Sequence, residues 1–182
     1  MTLTEIPIPQ TRPGWVLIKV KAFGINHSEV LLRQFEVAQD YIRKPIVPGI
    51  ECVGEVINPS DSGLEQGQRV IALMGGMGRS FNGSYAEYAL LPVSHVFPIE
   101  SNLDWDELAA IPETFYTAYG SLRLSLQLNP DDTLLIRGGS STVGIAALQL
   151  AKAIGATVIS TTRSEKKRKP ICSVVMVQTM LY

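Results

Sequence analysis

Cysteine is scarce in this chain. Its 182 residues contain only Cys52 and Cys172. That excludes a disulfide framework and a cysteine-based zinc site. No apolar run is long enough to span a bilayer. The opening Met-Thr-Leu-Thr-Glu-Ile-Pro lacks the basic and apolar blocks of a signal peptide. Charge of either sign is not in excess: 16 basic and 17 acidic residues give a formal net charge of -1. Nothing in that balance calls for nucleic acid or an anionic membrane as partner. Repeats and low-complexity tracts are absent too. A cytoplasmic globular protein is expected, and a hydrophobic content of 46% fits one. The length suits one large domain or two small ones.

What is present centres on residues 133–163. Thr133 to Ile136 is a β-prone run, apolar without alternation, which suits a strand buried on both faces. Gly138 and Gly139 break it. Ser140, Ser141 and Thr142 offer capping hydroxyls. Val143 to Ile154 has apolar residues at helical spacing, and Gly155 is a natural stop. Thr157 to Thr161 is a second β-branched run. Strand, helix and strand at this spacing predict a parallel crossover. Free N–H groups and the positive end of the helix dipole then meet in the crevice above the sheet, where a dinucleotide pyrophosphate would sit. The expected contacts are Ser140, Ser141, Thr142, Val143 and Gly144. The motif is not the full Gly-x-Gly-x-x-Gly, and a strand–helix turn with ordinary glycines is the plainer alternative.

The end of the second strand bears on which cofactor fits. NAD sites carry an acid about 20 residues past the glycines, on the ribose 2′-hydroxyl. Here Ser160-Thr161-Thr162-Arg163-Ser164 has no acid before Glu165. Arg163, with Ser164 and Lys167, could hold a 2′-phosphate through charge-assisted hydrogen bonds. NADPH is therefore expected, with a solvated basic turn as the alternative.

The first hundred residues are punctuated by Pro and Gly. Glu5 to Pro9 is extended. Trp15 to Ala22 alternates, with Val16, Ile18 and Val20 on one face and Leu17, Lys19 and Lys21 on the other, as in a half-exposed strand. Ser28 to Gln34 is a predicted short helix capped by Ser28. Pro45 to Val56 is a turn into a strand, and Arg69 to Leu73, Tyr85 to Leu91 and His95 to Ile99 are predicted strands. This spacing suggests a small barrel-like β domain. Asp104 to Ile111 reads as a helix interrupted by Pro112, and Glu113 to Leu126 as another. The fold class is α/β with a β-rich N-terminal part.

Several stretches together resemble one family. They are Gly24-Ile25-Asn26-His27-Ser28-Glu29, Pro48-Gly49-Ile50-Glu51, Gly67-Gln68-Arg69-Val70, Gly83-Ser84-Tyr85-Ala86-Glu87-Tyr88, Ala109-Ala110-Ile111-Pro112-Glu113-Thr114, Thr117-Ala118-Tyr119 and the Gly138–Lys152 block. In that order they are similar to the zinc-independent, quinone oxidoreductase-like branch of the medium-chain dehydrogenase/reductases. The resemblance implies a GroES-like β domain followed by a Rossmann domain. It implies NADPH-dependent reduction of a quinone or an activated enone or carbonyl, and a homodimer. A trans-2-enoyl reductase is the rival within the enzyme class.

The zinc-dependent cousins place a metal-binding Cys where Asn26 stands and a metal-binding His where Ile50 stands. Neither Asn nor Ile supplies that thiolate and imidazole pair, so no metal is expected. Hydrogen-bond donors must then polarise the carbonyl. By matching position these are Asn26 and Tyr85. The plainer roles are that Asn26 caps the next helix and Tyr85 packs in the β domain. Thr117 matches a threonine near the nicotinamide carboxamide, or else is a helix-surface hydroxyl bonding to its own backbone. His27 and His95, the only histidines, read as loop or strand-end residues. Glu51 either hydrogen-bonds within the cleft or plays a structural part.

The expected division is a GroES-like domain over 1–111 lacking its usual first strand, the start of a Rossmann domain over 112–167, and a tail over 168–182 unlike the family. The α/β part is expected to stop after two strands. The tail reads as a frame-shifted or mis-spliced version of a longer enzyme, or as an unrelated isoform end, and the expectation is an inactive N-terminal portion that turns over poorly or not at all. A truncated isoform or nucleotide-binding module without enzymatic activity is the alternative.

Overall fold

The computed structural model describes residues 2–163 and 178–181. Ser164, Lys167 and most of the 168–182 tail lie outside the described residues. The chain divides into two compact units, Met1–Glu113 and Thr114–Tyr182.

The first unit is built on a five-stranded antiparallel sheet. Its strands are β1 (Trp15–Ala22), β2 (Glu51–Asn58), β3 (Arg69–Leu73), β4 (Tyr88–Pro92) and β5 (Val96–Pro98). They lie in the order β4-β1-β2-β3-β5, so β4 and β5 are edges rather than partners closing a barrel. Alternation in β1 places Val16 and Ile18 in a core with Cys52, Val56, Val70 and Leu91. The opposite face carries Val53, on which helix α2 (Trp105–Ala109) lays Leu108 and Ala109. This two-sided cover explains the nearly continuous burial of β2. It also pushes the Cys52 thiol up to about 12, chiefly by desolvation, so the group is a small hydrophobe here. Leu17 was expected on the solvent side with Lys19 and Lys21. It is buried instead, because it lies between Asn58 of β2 and Leu90 of β4.

Local chemistry moves several predicted boundaries. Helix α1 spans His27–Leu31 and continues as a π-type turn over Leu32–Glu36. Its N-cap is Asn26 rather than Ser28. The backbone of Asn26 is extended, and its N–H donates to Glu29 Oε2 at 2.8 Å, the return half of a capping box. Tyr85 lies outside β4, since its N–H donates to the Pro48 carbonyl at 3.0 Å instead of to a ladder. Val93–His95 is a 3₁₀ turn before β5. Pro112 does not break a helix but opens one, α3 (Pro112–Tyr119), where a missing N–H costs nothing. A π-type turn over Gly120–Ser125 follows.

The second unit holds β6 (Thr133–Arg137), α4 (Thr142–Ile154), β7 (Thr157–Thr162) and β8 (Gln178–Leu181). β6 and β7 are parallel, as the spacing requires, and α4 connects them. Ala146, Ala147, Leu148 and Ala151 of α4 pack with Leu134, Val158, Ala118 and Leu122. Gly155 ends α4 in the left-handed conformation, with φ 101°. Two expectations are corrected. β6 is not buried on both faces: Leu134 is covered, while Leu135 on the other side is 59% exposed. The sheet does not stop at two strands either. β8 pairs in parallel with β7, Ile159 opposite Gln178 and Thr162 opposite Leu181, using hydrogen-bonding groups that β7 leaves open on that edge. Among the described residues no helix is long and apolar enough to cross a membrane.

Candidate active site

Within the first unit, three segments converge on one buried carboxylate. Glu51 is the first residue of β2 and is 4% exposed. The Asn26 side chain donates from Nδ2 to Glu51 Oε1 at 2.7 Å. The backbone N–H of Glu113, in the first turn of α3, donates to Glu51 Oε2 at 2.8 Å. Gly24 makes the arrangement possible, since a Cβ there would collide with the Glu51 carboxylate. Desolvation raises the Glu51 pKa most. The bonds from Asn26 and Glu113 oppose it, while the charges of Glu113 and Glu29 add to it, and the net direction is upward.

Tyr85 belongs to the same neighbourhood. Its ring stacks on Phe23 with centroids 4.6 Å apart. Its hydroxyl oxygen is buried and has no hydrogen-bond partner among the described residues. Burial raises its pKa, and the charges of Glu29 and Glu51 raise it further. Tyr85 is therefore a phenol and a hydrogen-bond donor across the neutral range. Glu29 is itself buried at 5% exposure and keeps Oε1 without a partner among the described residues. Asn26 and Tyr85, predicted from different motifs, thus share Glu29 and Glu51 as neighbours. Asn26 does cap α1, and it does so while its side chain is committed to Glu51. Glu29 carried no expected site role, although Asn-x-x-Glu is a readable capping signature. His27 is exposed at the start of α1, and His95 lies in the 3₁₀ turn.

The second unit brings Ser140, Ser141, Thr142, Val143, Gly144 and Arg163 to the C-terminal edge of its parallel sheet. Ser141 is the N-cap of α4: its Oγ accepts from the Gly144 N–H at 3.0 Å and its carbonyl from the Ile145 N–H at 2.9 Å. Ser140 Oγ lies 3.3 Å from Thr162 Oγ1, and the Gly139 N–H donates to the Thr161 carbonyl at 3.0 Å, so the turn is tied to the end of β7. A Cβ on Gly144 would come within 2.6 Å of the Gly138 carbonyl oxygen and 2.7 Å of Gly139 Cα. Only glycine lets helix and turn approach this closely. The first-turn amides of Thr142 and Val143 stand ahead of those that Ser141 satisfies, at the positive end of α4. Both residues are exposed. Arg163 is exposed immediately after β7, on the same edge as the glycine turn. A short, closely packed turn into a capped helix head fits a dinucleotide pyrophosphate. Thr117 is an exposed residue of α3 whose carbonyl accepts from Ser121 Oγ at 2.9 Å.

Residues 12–101 match the alcohol dehydrogenase GroES-like domain family. Over 171 residues the chain is 33% identical to the human (Homo sapiens) quinone oxidoreductase, covering 91% of this chain and 49% of that protein. The chain belongs to the quinone oxidoreductase-like branch of the medium-chain dehydrogenase/reductase superfamily. It spans about half the length of the quinone oxidoreductases it matches. Among solved members of the superfamily, an NAD-dependent alcohol dehydrogenase aligns with a TM-score of 0.87 and 32% identity, covering 98% of this chain and 59% of that one. The quinone oxidoreductase of Thermus thermophilus, solved with and without NADPH, aligns with a TM-score of 0.79 and 28% identity, covering 98% of this chain and 55% of that one. Among the described residues, no group of three or more His, Cys, Asp or Glu side chains is arranged to hold a metal ion.

Proposed function

We propose that this chain serves zinc-free, NADPH-dependent reduction of a quinone or an activated enone or carbonyl. The observation that carries the reading is the cofactor cradle: the Gly138–Gly144 turn, the Ser141-capped head of α4 and Arg163 at one sheet edge. Kinship with a human protein named quinone oxidoreductase, and with a Thermus enzyme solved with NADPH, supports it. One solved neighbour is named NAD-dependent, and in this reading Arg163 is the residue that decides between the two cofactors. When bound, the nicotinamide cofactor supplies a hydride to the electrophilic carbon of the substrate.

The protein's own residues do the rest. The Thr142 and Val143 amides bind the pyrophosphate, and the Arg163 guanidinium receives the 2′-phosphate. Asn26 and Tyr85 donate to the substrate oxygen as negative charge develops on it. Asn26 and Ile50 cannot ligate zinc as a thiolate and an imidazole would, so in this reading the donors replace a Lewis acid.

The test is loss of NADPH absorbance with a simple quinone, run beside a 2-enoyl thioester and repeated with NADH. NADPH should support faster quinone reduction than NADH. Arg163→Ala should erase about 10-fold or more of that preference, the scale of one charge-assisted contact. Faster reduction of the thioester would move the reading to an enoyl reductase. No oxidation with either acceptor, together with no thermal shift on adding NADPH, would refute it.

A further inference from the structure

Glu51 binds no substrate atom in the reading above, yet its buried carboxylate accepts two hydrogen bonds, one on each oxygen. Its oxygens are divided between two segments distant in sequence, Asn26 and the head of α3. An ionised carboxylate only accepts, so it dictates which end of the Asn26 amide turns toward it. That end is Nδ2, and one of its two N–H groups is consumed at 2.7 Å. The second N–H of that amide is the donor left for a substrate oxygen.

We infer that Glu51 is a positioning residue: by holding one N–H of the Asn26 amide it sets which donor that amide offers to a substrate oxygen. This deepens the role proposed for Asn26 and rests on it. The conservative variant Glu51→Gln distinguishes positioning from mere space-filling. Two N–H groups, from Asn26 and Glu113, point at this side chain. A glutamine has one carbonyl to receive them, and its own amide repels the other donor. Glu113's donor is backbone and cannot turn. The Asn26 amide can rotate, placing Oδ1 against the glutamine NH₂ and reversing the donor it presents.

Protonation of Glu51 should have a related effect, since a carboxylic acid directs an O–H at one of the same two donors. The ionisable groups facing Glu51 are Glu29 from α1, Glu113 from α3 and Tyr85 from the segment before β4. Cys52 adjoins it on β2.

The experiment uses the full chain and two readouts. In ¹⁵N-resolved NMR the Asn26 side-chain NH₂ pair is assigned by its disappearance in Asn26→Asp. In the wild type the two protons of that pair should be unequal at neutral pH. They should move in one titration step as pH falls from about 8 to about 4.5, at a midpoint above the ordinary carboxylate value. The step should persist in Glu29→Gln and vanish in Glu51→Gln, where the pair takes new shifts. In the second readout, Glu51→Gln should lower kcat for NADPH-dependent quinone reduction by about 10-fold or more while KM for NADPH stays within about 2-fold. An Asn26 pair indifferent to pH in the wild type would overturn the inference without any variant being needed. So would an Asn26 pair unchanged by Glu51→Gln in a folded protein. If the wild type lacks turnover the proposed activity fails by itself, and the NMR titration alone decides the role of Glu51.

Discussion

Glu51 has lost nearly all its water, and that loss outweighs the two N–H groups that favour its charge. A carboxylate whose pKa is higher folded than unfolded binds its proton more tightly in the native state. Its contribution to stability is then fully present below the ordinary carboxylate range and is lost as pH rises through the elevated value. Glu36 works the other way. Its bonds to Arg79, one of them 2.7 Å long, lower its pKa, so it adds stability above the ordinary range and loses it in acid. Unfolding free energies by urea across this pH range should separate the two. Glu51→Gln should abolish the decline with rising pH and leave the acid-side loss in place. A variant profile parallel to the wild type would assign the decline to another group. The residue type at position 51 was legible as a candidate. Its partners were not, because they lie 25 and 62 residues away.

At the scale of elements, α4 is the best-defined piece, and its head depends on one hydroxyl. Ser141→Ala should remove the cap on the Gly144 N–H and cost about 1 kcal/mol, while Ser141→Gly should cost only a few tenths. Thermal unfolding of the two variants measures both losses, and no loss in either would show that the hydroxyl contributes nothing. Such local chemistry explains which elements the sequence revealed. Trp15 to Ala22 reads as an alternating strand and forms β1 with those same ends, although Leu17 departs from the alternation. Gly155 stops α4 where expected because the left-handed conformation there suits glycine. Ser28 misled as a cap because the competing Asn26–Glu29 pair acts through a side chain three residues on. Tyr85 looked like strand because its ring is β-prone, but a bond to Pro48 takes its N–H. β8 was not legible, since Gln178 to Leu181 carries no alternation and owes its place to the open edge of β7.

For the whole molecule, each unit holds its own apolar core. Ile18, Val56 and Leu91 anchor the first, and Leu134, Leu148 and Val158 the second. Leu148→Ala removes a side chain that is 1% exposed and should cost about 2–5 kcal/mol. Hydrogen exchange should then show amides of β6, α4 and β7 losing protection while β1 and β2 keep theirs. Uniform loss across both units would mean that they unfold as one. Both the β-rich part and the parallel part were readable from the sequence, because alternation and the strand–glycine–helix spacing are local signals. The open ends of the first sheet and the exposed side of β6 were not, since they depend on what covers a strand rather than on the strand itself.

The antiparallel pairing of Trp15 with Pro92 has a consequence for how the chain is made. These partners are 92 − 15 = 77 residues apart, so at roughly 5–20 residues per second β1 waits about 4–15 s on the ribosome before β4 emerges. During that interval β1 can pair only with β2, and its other edge meets solvent bare. Slowing translation between Pro59 and Glu87 would lengthen that exposure and lower the yield of folded protein, with no change in any amino acid.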